Sequence, residues 1–129
     1  MNKSELLDSR DAFTRGYFKA ALWLSTDDNG GGLEYLNYSE DDLTALAIKC
    51  MIHECEDFQQ ENASALAETY ECPRYDEARA GFDFWLTRNQ HGAGFWDRGL
   101  GAVGHRLTNA AHTYGSSDLY VVRGKIHVS

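Results

Sequence analysis

Three groups of residues in this chain have the types and spacing that chemistry requires. His91 lies between Asn89-Gln90 and Gly92-Ala93-Gly94, and glycines beside an imidazole let a ligand approach backbone N–H groups, as anion and oxyanion sites do. Arg88, Arg98 and His105 flank that turn in sequence. With His91 they form a candidate ligand-binding set, for a small molecule or nucleotide or for an enzyme's anion pocket, provided the turn folds back over the helix that follows. No Gly-x-Ser-x-Gly elbow accompanies them, and none of the three cysteines has the local sequence of a catalytic thiol. A turn that needs glycine for its geometry accounts for the same residues.

The second group is Cys50-x-x-His53-x-Cys55, with Cys72 further on. Tetrahedral zinc needs ligands that converge, and on a helix Cys55 is turned well away from Cys50, so the reading is a set of small buried hydrophobes and no metal site. The third group is acidic. Glu54, Asp57, Glu61 and Glu68 stand at helical i, i+3, i+7 and i+14 positions, a row on the side opposite Cys55 and Leu66. Such a row spaces negative charge at intervals comparable to nucleic-acid phosphates. Its natural partner is a basic protein surface, for instance the nucleic-acid groove of another protein. An ordinary solvated helix face gives the same pattern.

The charge of the chain concentrates around that row. The formal net charge is −8 over 129 residues, but residues 27–77 carry fourteen acids and two bases, a balance of −12, between ends that are mildly basic. Direct contact with a phosphate backbone through the middle of the chain is therefore opposed. Three cysteines, an odd number with no signal-like segment ahead of them, suit an intracellular reduced protein. The longest apolar runs, such as AALWL at 20–24, fall far short of a membrane span.

The elements that must position these groups follow from periodicity. Ser9 is placed to cap a first helix over about 10–25, with Phe13, Tyr17, Ala20, Ala21 and Leu24 at helical spacing. The acid- and glycine-rich TDDNGGG, 26–32, reads as a flexible loop without a phosphate-binding fingerprint. Ser39-Glu40-Asp41-Asp42 reads as a capping box opening a second helix that runs to about Tyr70, broken near Asn62–Ser64. Alternation of Phe82, Phe84 and Leu86 with Asp83, Trp85 and Thr87 predicts a strand, so that 84–99 forms a β-hairpin; a helix over 76–88 is the competing reading. In that hairpin Arg88 finds a cross-strand partner and Asp97 caps the next helix. Leu100, Val103, Leu107, Ala110, Ala111 and Tyr114 make a third helical stripe stopped by Gly115, with Gly101 and Gly104 marking a close approach. LYVV and KIHV around Arg123-Gly124 predict a final hairpin.

The stretches YFKAALWLSTDD (17–28), CEDFQQEN (55–62), AGFDFWLTRNQHGAGFWDRGLGAVGHRLTNAAHTYG (80–115) and DLYV (118–121) resemble a group of small hypothetical proteins encoded by bacteriophages and prophages. The likeness runs over most of the chain from Tyr17, and the aromatic segment is its most distinctive part. It implies a setting, the cytoplasm of a bacterial host, and no mechanism.

The expectation is a single α+β domain over 1–129, with three main helices and two β-hairpins forming a small antiparallel sheet. The expected function is that of a phage-encoded accessory protein that is no enzyme and carries no cofactor. It would bind a host or phage protein stoichiometrically through the acidic row, as an anti-restriction or anti-CRISPR inhibitor imitating nucleic acid does. Direct nucleic-acid binding and membrane insertion are not expected. If Trp85 lands on the outer face of its strand, a homodimer would cover it.

Overall fold

The computed structural model describes residues 1–27 and 29–129; Asp28, within the glycine-rich loop expected at 26–32, lies outside the described residues. Among the described residues the chain forms six α-helices and one two-stranded antiparallel sheet, an α+β arrangement. No helix of the described residues is long and apolar enough to cross a membrane.

Helix α1 spans Lys3–Asp8 and opens with a capping box in which Asn2 and Glu5 exchange side-chain and backbone hydrogen bonds. Ser9 therefore ends this short helix and does not start the next one. Helix α2, Ala12–Leu24, is capped by Asp11, whose carboxylate accepts the Thr14 N–H. Burial raises the Asp11 pKa, but the hydrogen bonds from Thr14 and the Gln59 amide outweigh it and hold the pKa below the usual carboxylate range.

The Ser39 box forms as predicted but caps only a single 3-10 turn, Glu40–Asp42. Leu43 is extended after it, and Thr44 accepts the Ala47 N–H to begin helix α3, Ala45–Glu61. The interruption has a tertiary cause. Leu43 pairs with Ile126 of the C-terminal strand, where the Thr44 N–H donates to the Ile126 carbonyl at 3.0 Å. The break expected near Asn62 is present, with that residue outside helical geometry and its side-chain amide bonded to the Phe58 carbonyl. Helix α4 follows over Ala63–Thr69.

The strand and hairpin expected at 82–99 do not form. Residues Glu77–Arg88 make helix α5, capped by Asp76, and Phe95–Asp97 make a 3-10 turn. Alternation misled because α5 is enclosed on nearly all sides. Ala80, Gly81 and every residue from Asp83 to Arg88 are buried, so beyond its exposed first turn the helix has no exposed face to impose a 3.6-residue period. Glycine permits the enclosure. A β-carbon on Gly16 of α2 would stand 1.9 Å from the Ala78 carbonyl oxygen, and one on Gly81 1.8 Å from that of Phe13, so the two backbones cross in contact.

Around that crossing sits the aromatic core. Phe58 of α3 stacks on Phe84 of α5 with centroids 4.0 Å apart, while Phe13 and Phe95 lie about them. Trp85 is 3% exposed and meets Tyr17 edge-on, whereas Trp96 is 46% exposed. Helix α6, Ala102–His112, packs against this core. Gly104 approaches the Phe95 carbonyl, where a β-carbon would stand at 2.7 Å, and Gly115 stops the chain at φ +69°. Strands β1, Leu119–Val122, and β2, Lys125–Val128, form the predicted hairpin. Arg123 and Gly124 both have positive φ, the two-residue turn that matches strand twist.

Candidate functional site

The acidic row and the aromatic segment are parts of one construction. Arg88, the last residue of α5, is 4% exposed. Its guanidinium pairs with Glu54 and donates to the Tyr17 hydroxyl at 3.0 Å and to the Gly115 and Tyr114 carbonyls at 2.9 and 3.0 Å. Burial opposes the charge, but Tyr17 and Glu54 more than offset it, and the Arg88 pKa is raised. Tyr17 is pushed upward by its own burial and stays a neutral phenol. Arg88 is thus no cross-strand surface partner. It ties α2, α3, α5 and the end of α6 together, and Glu54 is committed to it.

The rest of the row divides by partner. Asp57 accepts the Tyr114 hydroxyl at 2.5 Å; burial first, then this bond and the Asp57 charge raise the Tyr114 pKa and keep it a donor. Glu68, on α4, is exposed and pairs with the exposed Arg106 of α6. Glu61 is exposed and has no hydrogen bond or ion pair among the described residues. Asp57 and Glu61 together line an open notch of about 430 Å³, whose other walls are Asn62, Ala110, Thr113 and Tyr114. Neither carboxylate meets a basic side chain among the described residues.

The second predicted set is dispersed. Arg98 makes a two-pronged pair with Asp83 at 2.9 to 3.2 Å, and Asp83 is wholly buried and accepts the Tyr75 hydroxyl at 2.7 Å. Asp97, expected to cap a helix, instead accepts the Gly94 N–H within the 3-10 turn. His91 borders a polar cleft of about 390 Å³ with Ser25, Thr26, Asn89, Ser116 and Asp118 among its walls. His105 is exposed on α6. The structure brings no two of Arg88, His91, Arg98 and His105 to a shared bond; Arg88 and Arg98 serve different carboxylates.

The remaining polar groups of 84–99 are held the same way. The Thr87 hydroxyl accepts the Phe95 N–H at 3.1 Å, and the Asn89 side chain accepts the Ser117 N–H at 2.8 Å while donating to the Trp85 carbonyl. This segment is a corner whose charges and amides anchor neighbouring chain. Sequence reading did not single out Asp83, although an acid between Phe82 and Phe84 in an apolar run was the available signal for a buried ion. Cys55 is buried beside Thr14 and its thiol is pushed well up by burial, while Cys50, five residues before it, is exposed.

A scan against protein-family models, a search of curated proteins and a search of solved structures return no match.

Proposed function

We propose that this chain acts by stoichiometric binding of a protein with a basic surface, and that the contact is centred on the notch between α3 and α6. The observation that carries this reading is the division of the acidic row. Glu54 and Glu68 already have arginine partners, whereas Asp57 and Glu61 border a concavity without one. A lysine or arginine entering there meets two carboxylates and the hydroxyl oxygens of Thr113 and Tyr114. The Arg88 anchorage holds α3 in place behind them, so the charge is presented without further ordering. The expected contact set narrows from Glu54, Asp57, Glu61 and Glu68 to Asp57 and Glu61, with Glu68 at the rim. The likeness to phage-encoded proteins favours a host protein as partner, with nucleic-acid-handling defence proteins as the class that presents such a surface.

The test uses an arginine-rich peptide and two charge-matched variants. Asp57→Asn with Glu61→Gln removes the notch carboxylates; Glu56→Gln with Glu71→Gln removes equal charge from residues that do not line it. Binding followed by calorimetry and amide chemical shifts should weaken about tenfold in the first pair only, with shifts centred on residues 57, 61, 110, 113 and 114. Equal loss in both pairs would reduce the effect to net charge and discard the notch.

A second reading rests on His91, which does border a concavity with hydroxyl, amide and carboxylate walls. As a small-ligand site it requires that some polar metabolite perturb the His91 ring resonances. A screen that leaves them unmoved removes it.

A further inference from the structure

Of the twelve bases in this chain, eight make no ion pair among the described residues. Lys19, Arg74 and Arg79 are three such bases: none has an ion pair or a side-chain hydrogen bond among the described residues. All three border one cleft of about 350 Å³, together with Arg98, Asp76, Phe82 and the Gly16–Ala78 crossing of α2 and α5. Arg98 is fixed there by the buried Asp83, which holds its Nε and one terminal nitrogen and leaves the other terminal nitrogen without a partner. The four cations stand against Asp76, the Asp83 behind Arg98 and Asp97, 3.8 Å from the Arg98 Nε, an excess of one positive charge at one cleft of a protein whose net charge is −8. The Asp76 carboxylate is itself occupied as the helix cap of α5.

Arg74 follows Pro73 and sits at φ +66°, in the left-handed region that favours glycine. Glycine there would relieve the backbone at the loss of one guanidinium. Beside these cations the cleft offers an aromatic wall: Phe82 borders it, and the exposed ring of Trp23 lies 5.9 Å from that of Phe82.

We propose that this cleft binds a phosphorylated small molecule with a flat aromatic group, a mononucleotide being the simplest of that class. The phosphate is held by Arg74, Arg79, Lys19 and the free nitrogen of Arg98, and the ring lies along Phe82. The site is separate from the acidic notch and shares none of its residues.

Two features make the test clean. Arg74→Gly removes one guanidinium and also relieves the backbone, so thermal stability should hold or rise. Arg79→Gln removes the charge of an exposed side chain and keeps a polar end. Binding of adenosine monophosphate, inorganic phosphate, adenosine and a single-stranded oligonucleotide is measured at low salt on the wild-type chain and both variants, with amide shifts recorded. The expected result is that the monophosphate binds more tightly than inorganic phosphate, adenosine alone does not bind, and each variant loses tenfold or more without a lower Tm. Shifts should centre on residues 16, 19, 74, 79 and 82. Undiminished affinity in both variants, adenosine binding as well as its monophosphate, or no saturable binding of the monophosphate overturns the proposal. Preference for the oligonucleotide, with shifts beyond the cleft, overturns it in favour of a nucleic-acid surface.

Discussion

Asp83 and Arg88 lie five residues apart on α5, about 140° around the helix, and each carries a charge into the core. On one side buried Arg88 takes Glu54, one of the acids expected to be free. On the other, buried Asp83 takes Arg98, one of the bases expected to line a ligand site. The two surfaces are mirror images in this respect: a charge that belongs to the surface pattern in sequence is used to neutralise a charge in the interior. What remains outside differs. Facing α6, two unpaired carboxylates border a notch; facing α2, three unpaired cations border a cleft. The comparison teaches that charge available for binding is the surface pattern less what the core consumes, and α5 sets that difference on both sides.

The buried ions themselves give the largest expected effect. Among the described residues Asp83 has only the Tyr75 hydroxyl besides Arg98, whereas Arg88 keeps one hydroxyl and two carbonyls if Glu54 is lost. Arg98→Ala should therefore cost about 3–5 kcal/mol, the range for leaving a buried charge unpaired, and Glu54→Ala less. Chemical denaturation of the two variants checks the order; equal losses would break the asymmetry drawn here.

A smaller effect comes from pH. Tyr17 beside Arg88 and Tyr75 beside Asp83 both have pKa values raised above 10.0, in each case first by burial. The folded state keeps both phenols protonated while the unfolded chain ionises them, so their contribution is complete below pH 10 and declines as pH rises beyond it. Each should add about 1.4 kcal/mol of lost stability per pH unit above that point. Unfolding free energies measured across this range should show a shallower slope in Tyr17→Phe and in Tyr75→Phe, one phenol's share in each. An unchanged slope in either would mean that its ring ionises in the folded state.

The smallest effect is expected at the notch. Glu61→Gln changes an exposed, unbonded side chain and should shift stability by less than about 0.5 kcal/mol. Asp57→Asn keeps an oxygen to accept the Tyr114 hydroxyl and should cost about 1 kcal/mol. Thermal melts of the single variants test this, and a large loss at Glu61 would show that the notch holds the fold together and is not a free surface.

Legibility in the sequence followed locality. The Asn62 break, the helix ending before Gly115 and the Arg123-Gly124 turn were readable because each depends on neighbouring residues alone: a side-chain amide that competes for a backbone carbonyl, or a positive φ that glycine tolerates. The Ser39 capping box was equally readable as a box, but its helix was cut to one turn by a strand more than eighty residues away. Of the proposed sites, the acidic row was visible as helical spacing. The cationic cleft was not, because Lys19, Arg74, Arg79 and Arg98 come from α2, the turn before α5, α5 itself and the segment after it.

By itself the sequence determined the α+β class, the terminal hairpin, the Asn62 break, the end of the last helix and the acidic centre of the chain, since caps, turns and net charge are properties of short stretches. Only the tertiary structure decided that residues 77–88 are helical, because a helix buried almost continuously from Ala80 onward loses the period that would reveal it. It alone decided which charges remain for a partner. Burying an ion demands an opposite charge from wherever the fold can supply one, and here the fold drew Glu54 from α3 and Arg98 from beyond α5.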